Sequence, residues 1–305
     1  MPSVTLAESA KLANDELVAG VIANVITVNQ MYELLPFDDI EGNSLAYNRE
    51  NVLGDVQTVT VGDTITAKAA ATFTKVNSNL TTIVGDAEVN GLVQATRSGE
   101  TDQEATQIAS KAKSAGRSYQ TQLITGDGTG NTFSGLLALC DSTQKAATGA
   151  NGGALSFAFL DELLDLVTDK DGQTDYLVMN ARTIRSYKAL VRALGGAMAD
   201  DVYEMPSGNR VIAYSGVPIF RNDYLPINQA KGTGSNQTTI LAGTLDDGSR
   251  THGIAGLTAR VSAGIVIEDV GIHQSKDERI TRVKWYCGLA LFSLKGLALA
   301  DGITN

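Results

Sequence analysis

The chain has 305 residues, 43% hydrophobic and 19% charged, which excludes a disordered polymer and allows one large or two intertwined globular units. A formal net charge of -10 repels phosphate and argues against a nonspecific grip on nucleic acid by the bulk surface. Two histidines are too few for a multi-histidine metal site, no apolar run reaches the roughly 18 residues of a membrane span, and the first five residues lack the basic start of a signal peptide.

The first segment is an acidic arm. Residues 1–48 hold one basic residue, Lys11, and seven acidic ones: Glu8, Asp15, Glu16, Glu33, Asp38, Asp39 and Glu41. Leu17, Val18, Val21, Ile22, Val25 and Ile26 follow helical spacing along one apolar face, so this arm packs on the body or on a neighbour. Residues 44–84 then alternate valine and isoleucine with threonine, through Val52, Val56, Val59, Val61, Ile65 and Val76, with Phe73 among them. That pattern predicts a long β-hairpin with its tip at Gly62–Asp63 or near residues 68–71. Its apolar content is thin, and a hairpin with little to bury is unstable alone, so it must lie on something else.

Thr101 and Glu104 form a capping box that opens a helix over 101–125. Its inner face is Ala105, Ile108, Ala109, Ala112, Tyr119 and Leu123, and Gly126 supplies the stop. Ser156 caps a second helix with the apolar face Phe159, Leu160, Leu163, Leu164 and Val167. A strand at 176–179 follows, then a helix capped by Asn180 and ended by Gly195 and Gly196. Residues 211–214 and 217–220 read as two strands around a Ser215–Gly216 turn, and 239–242 as another. The runs 260–270 and 280–294 alternate like strands. The class is α+β, without βαβ repetition.

Catalytic signals are weak. The run Gly126, Asp127, Gly128, Thr129 and Gly130 looks like a phosphate cradle but leaves a helix and lacks the Lys-Ser/Thr continuation, so it reads as a helix-exit turn. Asp169, Lys170, Asp171 and Gly172 lack the remaining ligands of a calcium loop and read as a surface turn. Cys140 and Cys287 sit far apart in apolar runs, as buried free thiols do. No metal or organic cofactor is implied. Lys276, Arg279, Arg282 and Lys284, interleaved with Asp277 and Glu278, read as a solvated hairpin edge or a contact patch between subunits.

The order of elements, with several local matches, resembles the tailed-bacteriophage major capsid family of the Hong Kong-type fold over nearly the whole chain. The matches are the turn Gly126, Asp127, Gly128, Thr129; the segment Gly135, Leu136, Leu137; the strand entering a helix at Tyr176, Leu177, Val178, Met179, Asn180; Gly216, Val217, Pro218, Ile219 with Pro226 downstream; and Ile240, Leu241, Ala242, Gly243. The resemblance implies an N-terminal arm (1–43), an extended loop (44–85), a peripheral domain (86–135 and 260–290) with a spine helix over 101–125, and an axial domain (136–259 and 291–305). It implies a shell subunit, made in the bacterial cytoplasm and placed in the virion, which assembles with itself as hexamers and pentamers around double-stranded DNA. Portal, scaffolding and decoration proteins are the implied partners, without a membrane. An encapsulin-like compartment and a tail-tube subunit are the alternatives; a hydrolase lacks its catalytic constellation.

The expected assembly contacts are Lys68 and Lys75 in the extended loop, and Arg279, Arg282 and Lys284, which the acidic arm should meet by opposite charge. Some relatives join a loop lysine to an asparagine of the peripheral domain. The corresponding loop here, residues 273–279, has no asparagine, so no covalent cross-link is expected. The arm begins within the first few residues, so no scaffolding segment is expected to be cleaved from the chain.

Overall fold

A computed structural model describes residues 31–97, 103–146, 148–168, 172–193 and 202–304. In chain order the elements are helix α1 (Met31–Leu34), β1 (Phe37–Ile40), β2 (Ser44–Val52), β3 (Thr72–Asn79), β4 (Thr81–Asn90), α2 (Gly91–Arg97) and the long helix α3 (Gln103–Thr125). Next come α4 (Leu136–Leu139), β5 (Gly153–Ala154), α5 (Phe157–Thr168), β6 (Tyr176–Met179), α6 (Ala181–Ala193), β7 (Val202–Glu204), β8 (Arg210–Tyr214) and β9 (Val217–Arg221). The chain closes with β10 (Gln229–Lys231), β11 (Gly234–Gly243), β12 (Ile254–Ala259), β13 (Ile265–Ile272), β14 (Glu278–Leu291) and β15 (Leu297–Thr304).

Two sheets carry the molecule. The first has five strands in the order β1-β12-β14-β13, with β4 on the other flank of β14. Inward side chains of β14 alternate as Thr281, Val283, Trp285 and Cys287, all buried, against half-exposed Ile280, Arg282, Lys284 and Tyr286 on the opposite face. Helix α3 covers the inward face with Ile108, Ala112, Ala115, Tyr119 and Leu123, each buried and spaced three or four residues apart. The two alanines let the helix approach β4 and β14 closely. Tyr119 packs on Trp285 with ring centroids 4.4 Å apart, flanked by Phe133 at 5.5 Å and Phe37 at 6.3 Å.

The second sheet has eight strands, ordered β5-β15-β11-β6-β9-β8-β7, with β10 on β11. Its central strands are buried on both faces. Leu177, Met179, Ile240, Ala242, Ala298 and Ala300 face α5 and α6, whereas Tyr176, Val178, Leu241, Leu297 and Leu299 join the core that runs to α3. The caps read from sequence are in place: Ser156 Oγ accepts from Phe159 N, and Asn180 Oδ1 accepts from Arg182 N. The predicted turn between β8 and β9 has Ser215 and Gly216 both at positive φ, 51° and 79°, as a tight hairpin turn requires. Thr101 of the predicted capping box, residues 169–171 of the weak calcium reading, the glycines at 195 and 196 and the arm before Met31 lie outside the described residues.

Several boundaries differ from the sequence reading. The β2–β3 ladder pairs residues 44–52 with 72–79, and residues 53–71 continue as a hydrogen-bonded loop without strands. Strand β4 is no part of the hairpin: residues 81–90 pair with β14 over ten positions, so the extended segment ends at residue 80 and not at 85. Strand β12, within the segment 136–259 assigned to the second unit, pairs with β14 and β1 in the first sheet. Residues 260–262 form a 3-10 turn, and the predicted strand starts at Ile265. The arm's last residues also form β1, parallel to β12, where Phe37 lies over Gly256.

The exit of α3 shows why glycine stands there. A Cβ on Gly126 would lie 2.2 Å from the Phe133 carbonyl oxygen and 2.5 Å from that of Gln122. Gly126→Ala should therefore lower unfolding free energy by about 1–3 kcal/mol in urea denaturation. An unchanged midpoint would mean that the α3–α4 connection relaxes freely.

Candidate functional site

Among the described residues no group of three or more His, Cys, Asp or Glu side chains could hold a metal ion. Burial pushes the thiols of Cys140 and Cys287 up to about 12, so neither is a nucleophile near neutral pH. The glycine-rich run after α3 closes on itself. Asp127 accepts from the Thr129 amide at 3.0 Å, the Thr129 hydroxyl at 2.6 Å and the Thr132 hydroxyl at 2.7 Å, and these bonds hold its carboxyl down at about 2. That is a helix-exit turn whose carboxylate occupies its own donors, not a phosphate cradle.

Among the described residues the hairpin carries the longest run of exposed apolar side chains. Val52, Leu53, Val56, Val59, Val61, Ile65 and Phe73 are all exposed, Val56 at 90% and Val61 at 105%. Soluble monomers do not carry a long arm of uncovered valines without a partner for it. The arm is nevertheless shaped. Its tip is Gly62–Asp63: Asp63 N donates to Thr60 O, and Thr60 N donates back to Asp63 Oδ2. Gln57 braces the interior, its Oε1 accepting from the Thr66 amide and hydroxyl and the Ala67 amide.

The base of the hairpin is held by residues that the sequence did not single out. Tyr47 Oη donates to Leu291 O at 2.6 Å and its ring packs on Phe292 at 5.3 Å. Arg49 donates to Leu291 O at 2.7 Å and to Phe292 O at 3.0 Å. Two side chains on alternate positions of a polar strand gave no signal of this; only the carbonyls at the end of β14 reveal it.

The basic cluster lies within a sheet and not at its edge. Arg282 grips Asp86 through two bonds of 2.7 and 2.8 Å, Lys284 meets Glu268 at 2.5 Å, and Arg279 meets Asp269 at 2.6 Å and lies 3.6 Å from Glu104. Because β14 is flanked on both sides, its cations find acids on β4 and β13. Two of the arm's acids pair elsewhere: Asp38 with Arg250 at 2.8 Å, and Glu41 with Arg260. The expected meeting of the arm with Arg279, Arg282 and Lys284, within or between subunits, is not found within one subunit among the described residues. Lys68 and Lys75 are both exposed on the hairpin.

Comparison with known proteins gives the same architecture. A family model described as SU10 major capsid protein matches residues 14–212. The SrpI encapsulin of Synechococcus elongatus superposes with a TM-score of 0.69 at 19% identity, covering 90% of this chain and 87% of that one. The capsid of a native GTA particle gives 0.60 at 12% identity, covering 90% of each chain. A chain of Mycobacterium phage Bobi gives 0.59 at 13% identity, covering 100% of each. No curated protein sequence matches.

The ion pairs on the first sheet set a direction for acid sensitivity. Hydrogen bonds from Arg282, Lys284 and Arg279 hold the carboxyls of Asp86, Glu268 and Asp269 below their ordinary range. A lowered folded-state value contributes stability above the unfolded value, near about pH 4, and loses it as pH falls through the folded value. Melting temperature should therefore drop as pH is lowered below about 4, and Asp86→Asn should flatten that drop. Identical acid profiles for the two proteins would show that the pair contributes nothing.

Proposed function

The chain belongs to the SU10 major capsid protein family, and from that premise we propose that it closes an icosahedral head of pentamers and hexamers by laying its hairpin across a neighbouring copy. It is a major capsid protein of a bacteriophage and a structural part of the virion. In the proposed arrangement the five-stranded sheet with α3 takes the peripheral position. The eight-stranded sheet takes the axial one, near the five- and six-fold axes. The shell encloses double-stranded DNA without reading its sequence, and portal, scaffolding and decoration proteins complete the head.

The observation that carries the reading is the hairpin, anchored at Tyr47 and Arg49 and uncovered at Val56 and Val61. Such a side-chain row gains its burial between subunits, and closed symmetry multiplies a weak contact. Deleting residues 58–71 should leave a folded, soluble subunit with a nearly unchanged melting temperature that forms no shells in negative-stain images. Normal shells from that deletion would sink the proposal. The likeness to an encapsulin supports a second reading, a cellular compartment. Purified particles holding protein cargo in place of DNA would favour it.

Contacts between subunits in this proposal are non-covalent. The loop after β13 has no asparagine, and Asn90, which sits opposite Glu278, has its side-chain carbonyl engaged by the Leu92 amide at 3.0 Å. Mature particles boiled in detergent should release a single band near 32.0 kDa, whereas a surviving ladder of oligomers would overturn this.

A further inference from the structure

Helix α6 carries three cations on one exposed face. Its buried side is Thr183 and Tyr187, and Ile184, Leu190 and Val191 pack half-buried against the core beneath it. Arg185, Lys188 and Arg192 stand exposed, three and four residues apart, with the small residues Ala189 and Ala193 exposed beside them. The helix holds no acidic residue. Arg182, three residues before Arg185, spends its Nη2 on the Asn236 carbonyl at 2.7 Å.

Elsewhere the surface arginines are paired. Arg210, Arg221, Arg250, Arg260, Arg279 and Arg282 each lie 3.9 Å or less from a carboxylate oxygen. Among the described residues no carboxylate comes that close to Arg185, Lys188 or Arg192. In a chain of net charge -10 these three form a local patch of opposite sign. The face also lacks an exposed aromatic or large aliphatic side chain, the anchors that protein interfaces bury at their centre. What it fits is a partner with closely repeated negative charge and little apolar surface.

We propose that this face of α6 meets the phosphate backbone of the enclosed double-stranded DNA. The proposal rests on the phage-head reading and names the surface through which the shell touches its contents. From Arg185 to Arg192 the helix rises about 10 Å, and each strand of a duplex carries a phosphate about every 3.4 Å along the axis, so the three cations span about three phosphates. The two guanidinium groups can each give a phosphate two parallel bonds, and Lys188 adds a point charge between them. Ala189 and Ala193 leave room for the backbone to approach. Contacts to phosphate carry no base information, so the face orders the duplex without reading it. One copy contributes little against the acidic bulk of the chain, and the closed shell repeats the contact.

Acetylation of the Lys188 amine tests the contact, read by mass spectrometry in particles filled with DNA and in shells emptied of it. Lys68 and Lys75 on the hairpin are the references. Lys188 should react about tenfold more slowly in filled particles at low salt, and about 1 M salt should remove most of that protection. A chain with Arg185→Gln and Arg192→Gln should still fold by circular dichroism and form shells by electron microscopy, yet lose most of the protection at Lys188. Arg185→Lys with Arg192→Lys, which keeps the charge, should retain it. Equal rates in filled and emptied shells overturn the proposal. Fast in both is a bare surface, and slow in both is a face covered by a neighbouring copy. Protection that survives high salt overturns it too, because a phosphate contact would be screened. These wild-type comparisons decide the matter even if the glutamine chain fails to assemble. Particles that hold protein cargo and no DNA would instead sink the phage-head reading, and this proposal with it.

Discussion

Strand β14 is the constraint that the remaining architecture obeys. Its fourteen residues pair with β4 along one side, and with β13 and then β12 along the other. Over most of its length it is flanked on both sides, so its register fixes three neighbours at once. Its inward row, Val283, Trp285 and Cys287, meets the buried face of α3, and a slip of one residue would turn Arg282 and Lys284 into that core. The ion pairs on the outer face work in the same direction. Arg282 reaches Asp86 only in this register, so the charges specify the alignment that the apolar side chains stabilise.

The hairpin depends on the same strand. Tyr47 and Arg49 take the carbonyls of Leu291 and Phe292, where β14 ends and the chain crosses to the second sheet. At that crossing two of the three connections between the sheets, β11 to β12 and β14 to β15, are tied together: Thr244 N donates to Gly296 O, Ile254 N to Thr244 O and Phe292 N to Gly253 O. A load on the hairpin tip therefore arrives at the junction of the two sheets, not at a loose loop. The tip is self-braced by Gln57 and Asp63, so it can meet a neighbour without first paying the full entropy of ordering.

Much of this could be read from the sequence where a pattern was local. The alanine-rich face of α3, the caps at Ser156 and Asn180 and the turn at Ser215–Gly216 each depend on residues within a few positions of one another. What escaped depends on distant partners. Strand β1 is four residues long with two acids, and nothing local marks it; Gly256, a single site without a side chain under Phe37, makes room for it. Strand β4 reads like its hairpin neighbours because both alternate, and only pairing with β14 separates them. The basic cluster read as an edge because sequence shows charge and not what lies beside it.

The acidic balance and the uncovered hairpin act over different distances. At physiological salt the charge of -10 is screened beyond about 8 Å, so subunits repel only when nearly in contact. Apolar burial along the hairpin works at contact, where it can outweigh that repulsion. The ion pairs on the first sheet are closed within one subunit, whereas the hairpin is, among the described residues, an apolar surface still open to a neighbour. A shell needs each such gain to be modest. Contacts too strong would freeze misplaced subunits, whereas many weak ones let an error dissociate before the ring closes over it.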